Sequence, residues 1–143
     1  MSDEDERARR FVDRHFPIVA GFLARTVTLD TMDHGPVTFT CPPWCIGHGW
    51  QMGVGIGRND ITHRSVRVKA GVDTESHGLQ PLMNAWISWA PFREMVPMIS
   101  LVLDAEGDYQ AEDGRRIAGA LGVAASRIEA LATEAIRLRG EIS

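Results

Sequence analysis

Residues 38–50 read "TFTCPPWCIGHGW", and they hold both cysteines of a 143-residue chain, Cys41 and Cys45, with His48 three places further on. Zinc favours thiolate and imidazole donors in a tetrahedron, and donors spaced by two to four residues on a tight turn can reach one ion without strain. Pro42 and Pro43 stiffen the turn between the cysteines. A fourth donor has to come from elsewhere in the chain. His63 is the choice, with His77 and His34 as substitutes. We therefore expect a zinc site made by Cys41, Cys45, His48 and His63.

The stretch that follows gives such a site something to do. Residues 46–63 carry glycines at 47, 49, 53, 55 and 57 and show no clear period, which reads as a long loop. A loop of that length inside a compact domain is usually functional or tied down. The four donors would pin both of its ends to the sheet. Metal binding at such sites is coupled to folding, with apparent energies of ~10–16 kcal/mol in zinc-finger peptides, more than packing of so polar a segment could supply.

Two other readings fit the same cysteines. They could be buried small hydrophobes, as free cysteines often are. They could be a redox pair, although the thioredoxin-type motif has two intervening residues and this one has three. If the ion is zinc, four protein ligands close the site and make it structural, whereas three would leave a position for water and permit hydrolysis. The closed, structural site is the expectation and a zinc hydrolase the alternative.

Working outward, "TVTLD" (26–30), "PVTFT" (36–40) and "SVRVKAGV" (65–72) alternate apolar and polar residues, as half-buried strands do. "MDHGP" between the first two is rich in turn formers. "LMNAWISWA" (82–90) and "VPMISLVLD" (96–104) are two further apolar runs, read as a fourth and fifth strand. Ile117, Leu121, Ala124, Ile128, Leu131, Ala135 and Leu138 recur at spacings of three and four, the mark of an amphipathic helix. Ahead of the strands, Phe11, His15, Ile18 and Phe22 keep helical spacing, with Pro17 dividing the run. No internal repeat or low-complexity tract stands out. The chain reads as one α+β domain over 1–143: a helical N-terminal segment at 1–25, then a zinc-clipped core at 26–143 with a mainly antiparallel sheet and a C-terminal helix.

Composition excludes several classes. With 44% hydrophobic residues the chain can bury a real core, and its net charge of −4 includes no basic stripe suited to a polyphosphate backbone. The opening "MSDEDERARR" is acidic where a secretory signal is positive, and "PIVAGFLA" (17–24) falls far short of the ~20 residues that a membrane span needs. A cytoplasmic protein without membrane contact is expected. In that reducing compartment the cysteines are thiolate ligands or buried thiols more readily than a disulfide.

The string "CPPWCIGH" at 41–48, the His-Arg-Ser at 63–65 and "ISLVLDAEG…RRIAGAL" at 99–121 resemble a family of small actinobacterial proteins of unknown function. Its members open with a Cys-Pro-x-Trp-Cys motif followed closely by histidine, and end with a strand, an acidic turn and an alanine-rich helix. The likeness spans roughly 41–132. This chain departs from it in carrying "DAEGD" at the turn and in placing Gly119 and Gly122 within the helix. The resemblance supports the four named ligands and implies no activity.

One competing function comes from "RRIAGALGVAASRIEALATEAIRLR" (115–139). Ala118, Gly122 and Ile128 have the spacing of a DNA-binding helix-turn-helix, and Ser126 with Glu129 forms a capping box that could start a second helix. Against it, residues 111–143 carry five arginines and five acidic groups, a neutral balance unlike a phosphate-facing surface. The plainer reading is one long helix on the sheet, with Gly122 a weak point costing about 1 kcal/mol relative to alanine. "GVGIG" (53–57) lacks the lysine of a phosphate loop, and the run from Asp104 has Tyr109 where a calcium loop needs glycine. No Gly-x-Ser-x-Gly nucleophile motif occurs. His63, His77 and Glu75 are available for acid and base work, but nothing fixes a pair. The expectation is thus a regulatory or binding module acting through an unknown protein partner, without catalysis of its own.

Overall fold

The period-two stretches become two antiparallel sheets in the computed structural model, which describes residues 25–142. The helical segment expected over 1–25 lies outside the described residues except for Arg25. Strands β1 (Arg25–Thr31) and β2 (Gly35–Cys41) form a hairpin in which Arg25 stands opposite Cys41 and Thr31 opposite Gly35. Leu29, Phe39 and Cys41 point inward, while Thr28 and Thr38 share a 2.8 Å hydroxyl contact on the exposed side. A one-residue slip of this register would turn the Cys41 sulfur out to solvent.

The second sheet is built on β5 (Gly78–Trp89), which pairs with β3 (His63–Arg64), β4 (Val68–Thr74) and β6 (Met98–Leu103), always antiparallel. Ala85 pairs with both Val68 and Leu101, and Ser88 with both Arg64 and Met98. Strands β3 and β4 therefore lie end to end along one edge of β5, with β6 on the other. Between them the expected strand at 65–72 is broken, and it runs from 68 to 74 instead. At the break the Ser65 N–H donates to the Ile87 carbonyl at 2.9 Å, while the Ser65 hydroxyl, not its carbonyl, receives the Ile87 N–H at 2.8 Å.

The long helix α1 (Asp113–Ile142) covers one face of this sheet. Ala124, Leu131, Ala135 and Leu138 pack against Ala70, Met83, Ala85 and Ile87, and each large side chain so buried contributes ~1.5–3 kcal/mol. The α+β class expected from the sequence is the one that forms. The turn that a helix-turn-helix at 115–139 requires does not, because α1 runs unbroken through Gly119 and Gly122. A Cβ added at either glycine would meet nothing within 4 Å. The apolar stripe on the opposite side keeps one continuous contact with the sheet, and this packing overrides the weak propensity of the glycines.

The start of α1 is fastened by Asp113, which is 1% exposed. Its carboxylate accepts the Glu75 N–H at 3.0 Å, the Ser76 N–H at 3.2 Å and the Ser76 hydroxyl at 2.6 Å. Helix and β4–β5 turn are thus joined by one side chain.

That turn also corrects the reading that no repeat is present. Residues 30–35, "DTMDHG", and 73–78, "DTESHG", share the pattern Asp-Thr-x-x-His-Gly. Both close hairpins of the same construction. In one, the Thr31 hydroxyl donates to the Gly35 carbonyl at 2.8 Å and receives the His34 N–H at 3.0 Å. In the other, the Thr74 hydroxyl donates to Gly78 at 3.0 Å and receives the His77 N–H at 3.1 Å. Gly35 and Gly78 adopt φ of +62° and +69°, the left-handed position that ends a three-residue hairpin loop. Among the described residues no helix is long and apolar enough to cross a membrane.

Candidate metal centre

The hairpin end, the loop and the short strand β3 meet in a second core of Leu29, Phe39, Cys41, Cys45 and Ile61. Cys41 arrives as the last residue of β2. The chain then turns at once: the Cys45 N–H donates to the Pro42 carbonyl at 3.0 Å, which brings Cys45 back beside Cys41. Gly47, at φ +103°, turns its N–H onto the Cys45 sulfur at 3.4 Å. The Ile46 N–H donates to the Arg64 carbonyl at 2.8 Å, and the Arg25 guanidinium donates to the Cys45 carbonyl. His63 comes from the other end of the loop, where β3 pairs it with Trp89.

All four residues expected from the sequence are brought together. One donor atom each from Cys41, Cys45, His48 and His63 lies within 4.8 Å of the other three. The His48 Nε2 stands 3.1 Å from the Cys41 sulfur, 3.5 Å from the Cys45 sulfur and 3.2 Å from the His63 Nδ1. A tetrahedron with metal–sulfur arms of ~2.3 Å and metal–nitrogen arms of ~2.05 Å has edges of roughly 3.3–3.8 Å. The observed separations fall close to these edges, so the residues could hold a metal ion. The substitutes are elsewhere. His34 and His77 occupy equivalent places in the two hairpin turns, His34 beside Asp33 at 3.1 Å and His77 against Tyr109.

The donors are sealed from solvent, with exposures of 0% for Cys41, 3% for Cys45, 4% for His48 and 1% for His63. Phe39 sets its ring edge-on to both imidazoles, at centroid distances of 4.9 and 5.6 Å, and Trp89 covers His63 at 5.7 Å.

Gln51 is the site residue that sequence reasoning missed. Its side-chain N–H donates to the Asp60 carbonyl at 2.8 Å, so its oxygen faces the other way, where it accepts the Thr62 N–H at 3.1 Å. The same oxygen lies 3.0 Å from the His48 Nδ1. An amide oxygen can only accept, so Nδ1 carries a proton, and in the neutral ring that metal binding requires Nε2 presents its lone pair to the cluster. Its position three residues after His48 is the sole sequence signal, and any polar residue in a loop matches that.

Cys41, Cys45 and His48 also set one another's protonation. Burial pushes the Cys45 thiol up, but hydrogen bonds from His48, His63 and the backbone N–H groups of Gly47 and Arg64 outweigh it and bring Cys45 down to about 5. Burial, and then the neighbouring Cys45 charge, push Cys41 up to about 12. For His48 burial acts downward, yet its bonds to Cys45 and Gln51 prevail and raise it. One thiolate is therefore well accommodated and a second is strongly resisted, because two like charges share a buried space. A divalent cation among the four donors removes that repulsion.

A family profile described as Domain of unknown function (DUF6907) matches residues 26–137, a span that takes in all four donors and most of α1. No curated protein and no solved structure matches the chain significantly.

Proposed function

The chain belongs to the DUF6907 family of domains of unknown function, and on that premise we propose that it is a small zinc-binding module whose metal is structural and whose work is to bind a protein partner. The observation that carries the reading is the convergence of two thiol sulfurs and two imidazole nitrogens, all within 4.8 Å of one another, in a sealed pocket. This donor set suits zinc better than calcium or magnesium, which take oxygen ligands. With four protein donors the coordination closes, and the ion supplies charge and fixed geometry that hold the loop ends together. No position is left for a reacting water, which supports a role without catalysis. The free thiols suit a reducing compartment such as the cytoplasm.

Elemental analysis of protein purified without chelator tests the metal, with one zinc per chain expected. Replacing Cys41→Ser and Cys45→Ser together should abolish metal binding and lower the melting temperature. A metal-free wild type, or a double variant of unchanged stability, overturns the reading.

A further inference from the structure

The face of the second sheet turned away from α1 is cationic and aromatic. Arg64 lies between two tryptophans, its guanidinium carbon 3.7 Å from the Trp50 ring centroid and 5.4 Å from that of Trp86. Arg67 stands over the same Trp86 ring at 4.8 Å. Lys69 pairs with Asn84 one strand position beyond, so its ammonium belongs to the same face. Neither Arg64 nor Arg67 has a carboxylate partner among the described residues, and Asp73, the acid that β4 contributes to this face, stands six residues beyond Arg67.

A second observation singles out the same place. The polar side-chain atoms buried without a hydrogen-bond partner among the described residues are Arg64 Nε, Trp86 Nε1 and Asn84 Oδ1. Such groups are normally satisfied, and here all three fall in one patch. Two neighbouring guanidiniums held rigid on aromatic rings are a preorganised fork for a carboxylate. An anion placed between them would also relieve their mutual repulsion.

We propose that Trp50, Arg64, Arg67 and Trp86 form the docking face for an acidic peptide segment of a partner protein. A nucleic acid fits less well. Stacking of bases needs an open aromatic face, whereas Trp86 is covered by both guanidiniums and Trp50 by one. The net charge of −4 also repels a long polyanion while leaving a short acidic segment able to use the local patch. Trp50, 38% exposed beside Arg64, would pack against the peptide's apolar side chains. Trp50 belongs to the loop that the metal donors clip, so the proposal rests on the binding-module reading above and names its surface.

The test is fluorescence anisotropy of fluorescein-labelled decaglutamate with the full chain, against labelled decalysine and decathymidylate. Decaglutamate should bind, weaken with added salt and lose at least ~10-fold in affinity in the Arg64→Gln, Arg67→Gln double variant, while decalysine should not bind. The same substitution at Arg137 and Arg139 should leave binding unchanged. Absence of decaglutamate binding at low salt, equal binding by the double variant, or tighter binding of decathymidylate overturns the proposal. Zinc content and melting temperature of each sample show that the variants are folded. They also separate the two readings: zinc present without peptide binding removes the docking face alone. Arginine-dependent peptide binding without zinc removes the metal alone.

Discussion

The side-chain oxygen of Gln51 lies 3.0 Å from the Nδ1 of His48 and, by accepting that proton, turns the other ring nitrogen into a donor for the cluster. This contact decides the tautomer of one of the four candidate ligands from outside their set.

Replacing Gln51→Ala leaves the His48 Nδ1 and the Thr62 N–H without their acceptor. Loss of such supporting contacts typically weakens metal binding by ~10–100-fold. Competition with a chromophoric chelator at neutral pH should show that loss, and Gln51→Glu, which keeps the acceptor but sets its second oxygen against the Asp60 carbonyl, should recover only part of it. Unchanged affinity in the alanine variant would mean that the tautomer is set elsewhere.

Metal affinity should fall as pH falls. Ligation needs both sulfurs as thiolates and both imidazoles neutral. Near neutrality Cys45, at about 5, has already lost its proton, whereas Cys41, at about 12, still holds one. Binding therefore displaces at least one proton, and affinity should change ~10-fold per pH unit for each proton displaced. Because His48 is raised as well, a second proton joins as the solution is made more acid and the slope steepens. A profile that is flat from about pH 6 to 8 would contradict this proton inventory.

Gly122→Ala should stabilise the protein by about 1 kcal/mol, since alanine is the better helix former by that amount. The site offers open space and the residue sits inside an unbroken helix. If residues 115–139 instead formed a helix-turn-helix with its turn at Gly122, the same change would destabilise. Chemical denaturation distinguishes the two by sign.

Asp113→Asn should lower the melting temperature at neutral pH and flatten the acid limb of the stability curve. Hydrogen bonds from the Ser76 side chain, and then from the Glu75 backbone, hold the Asp113 carboxyl below its ordinary value of 3.8. A depressed folded-state value contributes stability that is fully present above that ordinary value and is lost as pH falls through the lower one. Asp33 is lowered too, chiefly by the Arg58 backbone N–H, so the flattening should be partial. Identical acid limbs for wild type and variant would show that the contact carries no charge-dependent stability.

Two windows of the chain declared themselves locally. The alternation in β1 and β2 and the three-to-four spacing of α1 are written in neighbouring residues, because the pleat and the helical turn repeat over a few positions. Cys41, Cys45 and His48 are legible for the same reason, as one tight turn joins them. The paired turns at 30–35 and 73–78 are equally local, yet a six-residue likeness escapes a search for periodicity. His63 is different. It lies 15 positions from His48, and by spacing alone His34 and His77 served as substitutes. Only the pairing of β3 with the end of β5 sets the His63 Nδ1 beside the cluster, and the two hairpin turns place the other two histidines elsewhere. The unbroken course of α1 through two glycines, the acceptor role of Gln51 and the stacking of Arg64 on Trp50 likewise depend on surfaces contributed by distant segments. Short-range steric and hydrogen-bond preferences fix which elements form, whereas which donors meet is decided by long-range packing, to which no single window of sequence has access.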